Sequence, residues 1–357
     1  MTALQEAPVR RRRGFHPLPV TRVDRLTDDA VAVTFAVPPE LAADYAFRPG
    51  QSITLRRGDE RRSYSICAAP GTPLRVAVRE VAGGAVSSWL VHEVRPGHEI
   101  EVAPPTGRFT PADTAGHHVL IAAGSGITPV LSIAHAVLAD PAGSVTLLYG
   151  NRRADTVMFA DELADLKDVH TARLELAHLL SREAREVELY SGRLDPAKLR
   201  ELLGTVLDAG SVDHWWLCGP YEMVVGLRQV LAEAGVPTDR VHAELFFVED
   251  TPPEQARHAE PVAAGETSAV TVVLDGRSTE LALPRDVPVL DAAQRQRPDL
   301  PFACKGGVCG TCRAKVTAGE VRMRRNFALE QSEMDAGFVL TCQSLPVSDA
   351  VTVDYDA

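Results

Sequence analysis

The sequence predicts a multidomain fold in which an antiparallel β-barrel, an α/β domain with a parallel sheet and a small C-terminal domain follow one another. Residues from about 16 to 110 form short alternating segments separated by turn residues, which is typical of a barrel. From about residue 117, apolar strands alternate with helical stretches, as in parallel sheets with crossover helices. The chain has 357 residues, more than one ordinary core holds, so two or three domains are expected.

Four segments carry the barrel prediction, because each is short and rich in β-branched or aromatic residues. These segments are residues 31–35, 52–55, 64–66 and 74–78. The α/β prediction depends on three apolar segments, each followed by a helical pattern. The segments are residues 119–122, 145–149 and 215–217, and the helices are expected from Thr128, through Phe159 and Leu163, and from Pro220.

The C-terminal domain is expected to open with a hairpin, because two alternating segments flank Asp275 and Gly276, a pair that favours tight turns. The segments are residues 269–274 and 278–283, and a short helix is expected near residues 289–293. Two adjacent prolines and few large apolar residues indicate a linker before the hairpin. The predicted divisions are a basic tail at 1–14, the barrel at 15–112, the α/β domain at 113–248, the linker at 249–268 and the C-terminal domain at 269–357.

Composition excludes several classes of function. The net charge of −11 argues against nucleic acid as the main partner, because phosphate binding needs a basic surface. No run of about 18 apolar residues occurs, so no association with a membrane is expected. The first residues lack the apolar stretch of a signal peptide, and Cys67 and Cys218 are expected as free thiols, so a cytoplasmic location is predicted.

Four cysteines near the C-terminus have the ligand spacing of a plant-type [2Fe-2S] cluster. Cys304, Cys309 and Cys312 are separated by four and two residues, and 29 more residues precede Cys342. Zinc is the competing prediction, but structural zinc sites usually pair two short knuckles. A disulfide framework suits a chain of this length without a secretory signal poorly. The spacing therefore favours one-electron chemistry.

A second motif lies on a predicted barrel strand. Alternation places Arg62 and Tyr64 on one side of this strand. Ser63 and Ser65 are then on the other side. By itself, this pattern also fits an ordinary strand with a surface arginine and a half-buried tyrosine.

A glycine pair, Gly83 and Gly84, comes shortly before Ser87 and a helical stretch. The N-terminus of a helix with glycine and serine presents N–H donors that suit a pyrophosphate. Together with the strand motif, this stretch favours a nucleotide site in the barrel.

The turn from Gly124 to Pro129 directly follows an apolar strand and opens a helix. Gly124 and Gly126 let the backbone approach a diphosphate, and Pro129 suits the first helical turn. Polar groups from two other strand ends are expected in the same crevice at the carboxyl edge of the sheet. These groups belong to Asn151 with Arg152, and to Cys218 with Gly219 and Pro220. Cys218 also fits a small buried apolar residue, which is a common role for free cysteine.

With these motifs in this order, the sequence resembles the ferredoxin-NADP reductase family of flavoproteins, in the form that carries a C-terminal plant-type [2Fe-2S] domain. The resemblance runs from residue 15 to residue 357. It implies an FAD-binding barrel, an α/β domain that binds NAD(P)H, and a β-grasp ferredoxin domain. Some relatives use FMN, and this alternative stays open.

In the barrel, the resemblance implies that Arg62 contacts the phosphates of the flavin nucleotide. It implies that Tyr64 lies against the isoalloxazine ring and that Ser65 is a catalytic residue near flavin N5. The remaining flavin-contact residues implied are Ser63, Val78, Gly83, Gly84 and Ser87.

In the α/β domain, the resemblance implies that Cys218 and Glu244 are catalytic residues near the nicotinamide and the flavin. Phe246 is implied beside them, although Glu244 and Phe246 also fit a final sheet strand with core aromatics. Ser181 and Arg182 are implied to bind the 2′-phosphate of NADPH, because a guanidinium suits phosphate. A solvated charge at a helix start and the use of NADH both stay open. The other nicotinamide-contact residues implied are Gly124, Gly126, Thr128, Pro129, Asn151, Arg152, Gly219 and Pro220.

Within the family, the sequence is similar to the reductase components of bacterial phenylacetyl-CoA epoxidases, which implies a di-iron oxygenase as the electron acceptor. The implied activity takes hydride from NADPH on FAD and delivers single electrons through the cluster. A reductase for a Rieske or another di-iron oxygenase stays open, as does an electron carrier without hydride chemistry. Lys305, Gly306 and Arg313 are expected to face solvent and to meet the acceptor.

Overall fold

The computed structural model describes residues 14–247 and 267–357. The predicted basic tail, apart from Gly14, and residues 249–266 of the predicted linker lie outside the described residues. Thr267 and Ser268, which the linker prediction included, instead begin a strand, where they pair with Pro284 and Leu283. The linker prediction is wrong for these two residues, because their alternating burial continues the pattern of the strand.

Six antiparallel strands and one helix form the first domain. The strands are β1 (His16–Thr27), β2 (Ala30–Phe35), β3 (Ser52–Arg57), β4 (Glu60–Ser65), β5 (Arg75–Arg79) and β6 (Glu99–Val102), and the helix is α1 (Ala85–His92). Their order is β4-β3-β6-β1-β2-β5, and a bridge between Ile66 and Val76 joins the two ends into a barrel. Inward-facing residues such as Ile53 and Leu55 fill its interior. The strands β1 and β6 were not among the predicted segments.

Five parallel strands and four helices form the second domain. The strands are β7 (Gly116–Ala123), β8 (Gly143–Asn151), β9 (Leu174–Leu180), β10 (His214–Pro220) and β11 (Val241–Phe247), and the helices are α2 (Ile127–Ala139), α3 (Ala160–Val169), α4 (Pro196–Leu203) and α5 (Tyr221–Glu233). The sheet order is β11-β10-β7-β8-β9, so the direction of winding reverses at β7 and a crevice opens at its carboxyl end. The helix predicted through Phe159 begins one residue later, because Phe159 has a left-handed φ of 61°.

The third domain contains seven strands and two short helices. They are β12 (Thr267–Leu274), β13 (Arg277–Pro284), α6 (Val289–Ala293), β14 (Arg313–Ala318), β15 (Val321–Met323), α7 (Gln331–Asp335), β16 (Phe338–Leu340), β17 (Ser344–Pro346) and β18 (Ala350–Asp354). One sheet has the order β13-β12-β18-β14-β16, and β15 pairs with β17 in a second sheet. The hairpin turn is where the sequence predicts it, since Asp275 and Gly276 have φ values of 55° and 70°.

The barrel and the α/β domain share one hydrophobic core. Ala77 and Phe109 of the barrel belong to the same buried cluster as Ile133 of α2. Arg75 of β5 also pairs with Glu162 of α3 at 2.8 Å. These contacts hold the two domains in one relative orientation, which defines the crevice between them. Within the residues the structure describes, no helix is long and apolar enough to cross a bilayer.

Candidate functional site

The turn after β7 lies against the end of β10. A Cβ atom on Gly126 would be 2.3 Å from the Cys218 carbonyl oxygen, so only glycine permits this approach. Gly124 has a φ of 54°, and its carbonyl accepts a hydrogen bond of 3.0 Å from the Tyr149 hydroxyl. Thr128 donates its hydroxyl to the Ser125 carbonyl at 3.1 Å, which closes the first turn of α2. The turn therefore presents a backbone edge that is free of side chains to the crevice.

The three residues expected to be catalytic meet where the barrel contacts the α/β domain. Ser65, at the end of β4, donates its hydroxyl to Glu244 Oε2 of β11 at 3.2 Å. Glu244 and Cys218 are direct neighbours in the register of β10 and β11. Side chains from three strands of two domains therefore converge at one point.

Burial controls the ionisation of this group of side chains. Burial raises the pKa of Glu244 to about 7, although the hydrogen bond from Ser65 opposes the shift. Burial, with the Glu244 charge as a second cause, raises the pKa of the Cys218 thiol well above its usual value. Cys218 is therefore a neutral thiol and not a nucleophilic thiolate at neutral pH.

The strand motif has the predicted sidedness. Tyr64 and Arg62 are register partners of Ile53 and Leu55, and Tyr64 packs against the barrel core. Ser63 faces the other way and hydrogen-bonds to the Thr54 hydroxyl at 3.0 Å. The Arg62 guanidinium pairs with Glu60 at 2.9 Å, so a ligand phosphate would compete with this carboxylate. Burial raises the pKa of the Tyr64 phenol, which keeps the ring neutral.

Gly83 and Gly84 directly precede α1, as the sequence predicts, but the nearby Ser87 hydroxyl already hydrogen-bonds to backbone groups of this segment. Ser87 donates to the Gly84 carbonyl at 3.1 Å and accepts from the Val81 N–H at the same distance. Gly83 has a φ of 73° and open space around its Cα. The Val78 side chain is buried in the barrel core, which leaves only its backbone for contact with a nucleotide.

The loops after β8 and β9 are joined by backbone hydrogen bonds. Ser181 N–H donates to the Asn151 carbonyl at 3.0 Å, and Arg182 N–H donates to the Arg152 carbonyl at 2.8 Å. The side chains of Arg152 and Arg182 are exposed and make no ion pair with the described residues. No helix begins at Arg182, so the alternative of a charge at a helix start is wrong.

The side-chain amide of Asn151 is buried and poorly satisfied. The side chain is 8% exposed, yet neither its oxygen nor its nitrogen makes a well-formed hydrogen bond to the described residues. The Tyr149 hydroxyl lies beside this amide, but its well-formed hydrogen bond goes to the Gly124 carbonyl. Burial of an amide that lacks well-formed hydrogen bonds is costly, and a nucleotide in this crevice would supply them. These residues therefore fit a bound nicotinamide nucleotide.

The remaining predicted contact residues border the same crevice. A Cβ on Gly219 would lie 2.7 Å from Met223 Cε and 3.2 Å from Ala123 Cβ. Pro220 is exposed and caps α5, and Phe246 packs at the edge of the core that the barrel and the α/β domain share. Gly219 thus allows β10 to pass closely beside the turn after β7.

The cysteine loop folds around its first sulfur. The N–H groups of Gly306 and Cys309 donate to Cys304 Sγ at 3.3 and 3.4 Å. Lys305, Gly307 and Gly310 adopt positive φ values of 52°, 80° and 67°, which turn these N–H groups inward. A hydrogen bond from the Cys309 thiol, together with these donors, lowers the pKa of Cys304, and a thiolate is the form that binds iron.

The four thiols fall into two close pairs, Cys304 with Cys309 and Cys312 with Cys342. Among the described residues, no three histidine, cysteine or acidic groups converge as ligands of a single ion. All six cysteines are free of disulfides. Two pairs of thiolates suit two bridged irons, whereas a structural zinc site needs four ligands around one point. The cysteines therefore fit a [2Fe-2S] cluster.

The expectation that Lys305 and Arg313 face solvent is wrong. The Lys305 side chain is 17% exposed, because it pairs with Asp291 at 2.7 Å and lies over the Phe302 ring. Arg313 is 26% exposed, pairs with Glu333 at 3.0 Å and stacks on Phe338. Both cations have local partners that the sequence did not reveal.

The cluster loop lies against the strand that carries the flavin motif. Arg61 of β4 donates to the Pro298 carbonyl at 3.0 Å and lies 4.4 Å from the centroid of the Phe302 ring. A small cleft between them is lined by residues of both domains, which are Asp59, Glu60, Arg61, Arg62, Phe302, Ala303, Cys304 and Lys305. Arg108 adds an ion pair with Glu333 across the same boundary. Cys304 therefore approaches the barrel beside Arg62.

Two arginines near the site were absent from the predictions. Arg61 directly precedes the strand motif, and this position is the signal that could have marked it. Arg79 of β5 donates to the Thr156 carbonyl at 2.6 Å, and its guanidinium lies beside Gly124. No local sequence pattern marks Arg79, because Thr156 is 77 residues away.

Three segments match known domain families, in the order in which the domains occur. Residues 17–110 match the oxidoreductase FAD-binding domain, and residues 120–229 match the oxidoreductase NAD-binding domain. Residues 272–347 match the 2Fe-2S iron-sulfur cluster binding domain. The predicted FAD, nicotinamide and [2Fe-2S] domains are confirmed by these matches, which do not distinguish NADPH from NADH.

Comparison with whole proteins finds relatives that match nearly the full length of this chain. The chain is 42% identical to a component of 1,2-phenylacetyl-CoA epoxidase from Escherichia coli, over 96% of this chain and 98% of the relative. It is 36% identical to the ferredoxin reductase component of 3-ketosteroid-9-alpha-monooxygenase from Mycobacterium tuberculosis, over 95% of each chain. The solved structure of phthalate dioxygenase reductase matches with a TM-score of 0.60 over 96% of this chain and 98% of that one, at 24% identity. The chain therefore belongs to the ferredoxin-NADP reductase family of flavoproteins, in the form that carries a C-terminal [2Fe-2S] domain.

Proposed function

We propose that this protein is the NADPH-dependent reductase of a di-iron oxygenase of the phenylacetyl-CoA epoxidase type. One observation carries the proposal: β4 contacts the nicotinamide domain through Ser65 at one end and the cluster domain through Arg61 near the other. Arg61 and Ser65 are four residues apart, which corresponds to ~13 Å along an extended strand. A single strand therefore connects the place where electrons enter with the loop from which they leave.

The bound groups supply chemistry that side chains lack: FAD accepts hydride from NADPH and releases electrons singly, and the cluster carries one electron at a time. The chain holds these groups and orients them. We assign Arg62 to the flavin phosphates and Tyr64 to the isoalloxazine ring. The stretch from Gly83 to Ser87 presents backbone N–H groups at the start of α1 to the diphosphate.

The nicotinamide nucleotide is assigned to the crevice at the carboxyl edge of the parallel sheet. Gly124 and Gly126 admit its diphosphate, and the N-terminus of α2 provides partial positive charge there. Arg152 and Arg182 are assigned to the 2′-phosphate, which supports NADPH over NADH. Two observations support this assignment. Both side chains are exposed and make no ion pair with the described residues, and backbone hydrogen bonds between their loops bring the two arginines close together.

Ser65, Cys218 and Glu244 are assigned to the point where hydride passes. Cys218, as a neutral thiol, is a small group that leaves room for a flat ring and excludes water. Ser65 presents its hydroxyl, and the protonation state of Glu244 decides where that hydroxyl points. An ionised Glu244 accepts the Ser65 proton in a hydrogen bond, whereas a protonated Glu244 frees Ser65 to donate elsewhere.

The choice of partner is supported by the 42% identity to a phenylacetyl-CoA epoxidase component over nearly the whole chain. The relative at 36% identity serves a different monooxygenase, which keeps a second oxygenase class as the rival. A cytoplasmic location belongs to the same proposal, because no disulfide joins any of the six cysteines, all of which lie in the described residues.

The test uses the purified holoprotein under anaerobic conditions, followed by reconstitution with an oxygenase component. NADPH should bleach the flavin absorbance and then reduce the cluster. With the oxygenase of a phenylacetyl-CoA epoxidase and phenylacetyl-CoA, NADPH consumption should match product formation. Bleaching without coupled product, together with coupling to a Rieske oxygenase, would overturn the assigned partner. A flavin that stays oxidised with NADPH and NADH would instead establish an electron carrier without hydride chemistry.

A further inference from the structure

Three arginines form an exposed basic surface on the third domain. Arg322 lies on β15, and Arg324 and Arg325 are the two residues that follow this strand. Arg322 and Arg324 make no ion pair with the described residues, and residues 321–327 contain no acid. We call these three residues the arginine patch. Its local positive charge contrasts with the net charge of −11 of the whole chain.

Hydrogen bonds connect the arginine patch to the cluster ligands. Arg324 N–H donates to the Gln343 carbonyl at 2.8 Å, and Gln343 directly follows Cys342. The Gln343 side chain donates to Cys342 Sγ at 3.6 Å and to the Lys305 carbonyl at 2.7 Å. Just beyond the patch, Phe327 N–H donates to the Gly307 carbonyl at 3.0 Å. The backbone of the arginine patch is therefore hydrogen-bonded to the residue that directly follows the ligand Cys342.

The opposite end of the cluster loop is already occupied. Cys304 and Lys305 line the cleft against the barrel, and Arg61 holds Phe302 there. Arg313, beside Cys312, is enclosed by Phe338 and by Glu333, which also pairs with Arg108 of the barrel. Beyond the patch, Phe327 packs edge-on against Tyr221 of the α/β domain, with 5.0 Å between the ring centroids. The side chains of the arginine patch itself are exposed among the described residues, beside the segment that carries Cys342.

We propose that the arginine patch is the docking surface for an electron acceptor with an acidic face, which in the proposed function is the oxygenase component. The inference rests on that function and adds the face and the charge by which the partner is recognised. Opposite charges steer two proteins together and fix their orientation, and salt screens this effect. Electrons would then enter the cluster beside Cys304 and leave beside Cys342.

The test compares two double variants with the same change of charge. Arg322→Glu with Arg324→Glu reverses the patch, whereas Arg228→Glu with Arg240→Glu reverses two exposed arginines of the α/β domain. Each holoprotein is reduced with dithionite and mixed in a stopped-flow instrument with cytochrome b5, an acidic acceptor, or with cytochrome c, a basic acceptor. Cluster absorbance and ferricyanide reduction report that each variant is intact. Chemical reduction makes the result independent of NADPH, so failure of the proposed hydride chemistry appears separately.

We expect the patch variant to reduce cytochrome b5 at least ~10-fold more slowly than the wild type, because steering by charge changes association rates by this order or more. Its reduction of cytochrome c should not slow, and the control variant should match the wild type with both acceptors. Added salt should slow the wild type with cytochrome b5 and should not slow the patch variant. Equal rates for the two variants, or an equal loss with both acceptors, would overturn the proposal.

Discussion

Replacement of Gly126 by alanine should separate the turn after β7 from the end of β10. The new Cβ would lie 2.3 Å from the Cys218 carbonyl oxygen and 2.7 Å from the carbonyl carbon, about 1 Å inside ordinary van der Waals contact. Both atoms belong to the backbone of a buried strand, so no flexible side chain can move away. Relief therefore requires a shift of about 1 Å between two elements that hold the nicotinamide crevice.

A shift of this size is large for hydride transfer, because a misplacement of 1 Å costs about 10²-fold in rate. We expect a fall of about 10²-fold in the limiting rate of flavin reduction by NADPH. FAD content and the cluster spectrum should stay unchanged, since these sites lie in other domains. Anaerobic stopped-flow measurement of flavin absorbance over a range of NADPH concentrations gives the limiting rate directly.

Gly204→Ala is the matched control for this experiment. Gly204 ends α4 with a φ of −82°, and an added Cβ would come no closer than 3.4 Å to another atom. This variant should therefore reduce its flavin at the wild-type rate. A Gly126→Ala protein whose rate and NADPH affinity match those of Gly204→Ala would refute the assignment of this turn to the nucleotide.

Three further predictions concern single side chains. Arg182→Ala should raise KM for NADPH by roughly 10- to 100-fold, because hydrogen bonds to charged groups contribute about 1.5–3 kcal/mol, and an equal rise for NADH would contradict its role at the 2′-phosphate. Cys309→Ser should abolish the cluster spectrum while NADPH still reduces the flavin, and a retained spectrum would contradict the ligand assignment. Because the pKa of Glu244 is raised to about 7, the carboxyl ionises as pH rises through 7, and the carboxylate then accepts the hydrogen bond from the Ser65 hydroxyl. Flavin reduction should therefore slow from pH 6 to pH 8 in the wild type but not in Glu244→Gln, and identical pH profiles would contradict this reasoning.

Much of the fold was accessible from local patterns. Strand alternation, the Asp275 and Gly276 turn and the glycine turn at Gly124 depend on neighbouring residues, and the structure has each of them. The spacing from Cys304 to Cys312 is local in the same way, because one loop must wrap around the cluster. Such features are predictable since the chain supplies both partners within a few residues.

The contacts between domains were not accessible in this way. Ser65 meets Glu244 across 179 residues, and Arg61 meets Pro298 across 237. These pairs depend on how finished domains pack, which no period or spacing records. The error at Lys305 has a different reason. Its partners Asp291 and Phe302 belong to the same domain, but the path of the loop that brings them to Lys305 is not recorded in any period or spacing.

In the proposed route, electrons from NADPH reach the cluster only through the flavin, along the side of the barrel formed by β4. Freeze-quench electron paramagnetic resonance after NADPH is mixed with the holoprotein, and with protein depleted of FAD, measures cluster reduction directly. We expect the signal of a reduced [2Fe-2S] cluster in the holoprotein and no such signal in the depleted protein. If NADPH reduced the cluster equally well without FAD, or failed to reduce it in the holoprotein, the route through the flavin would be wrong.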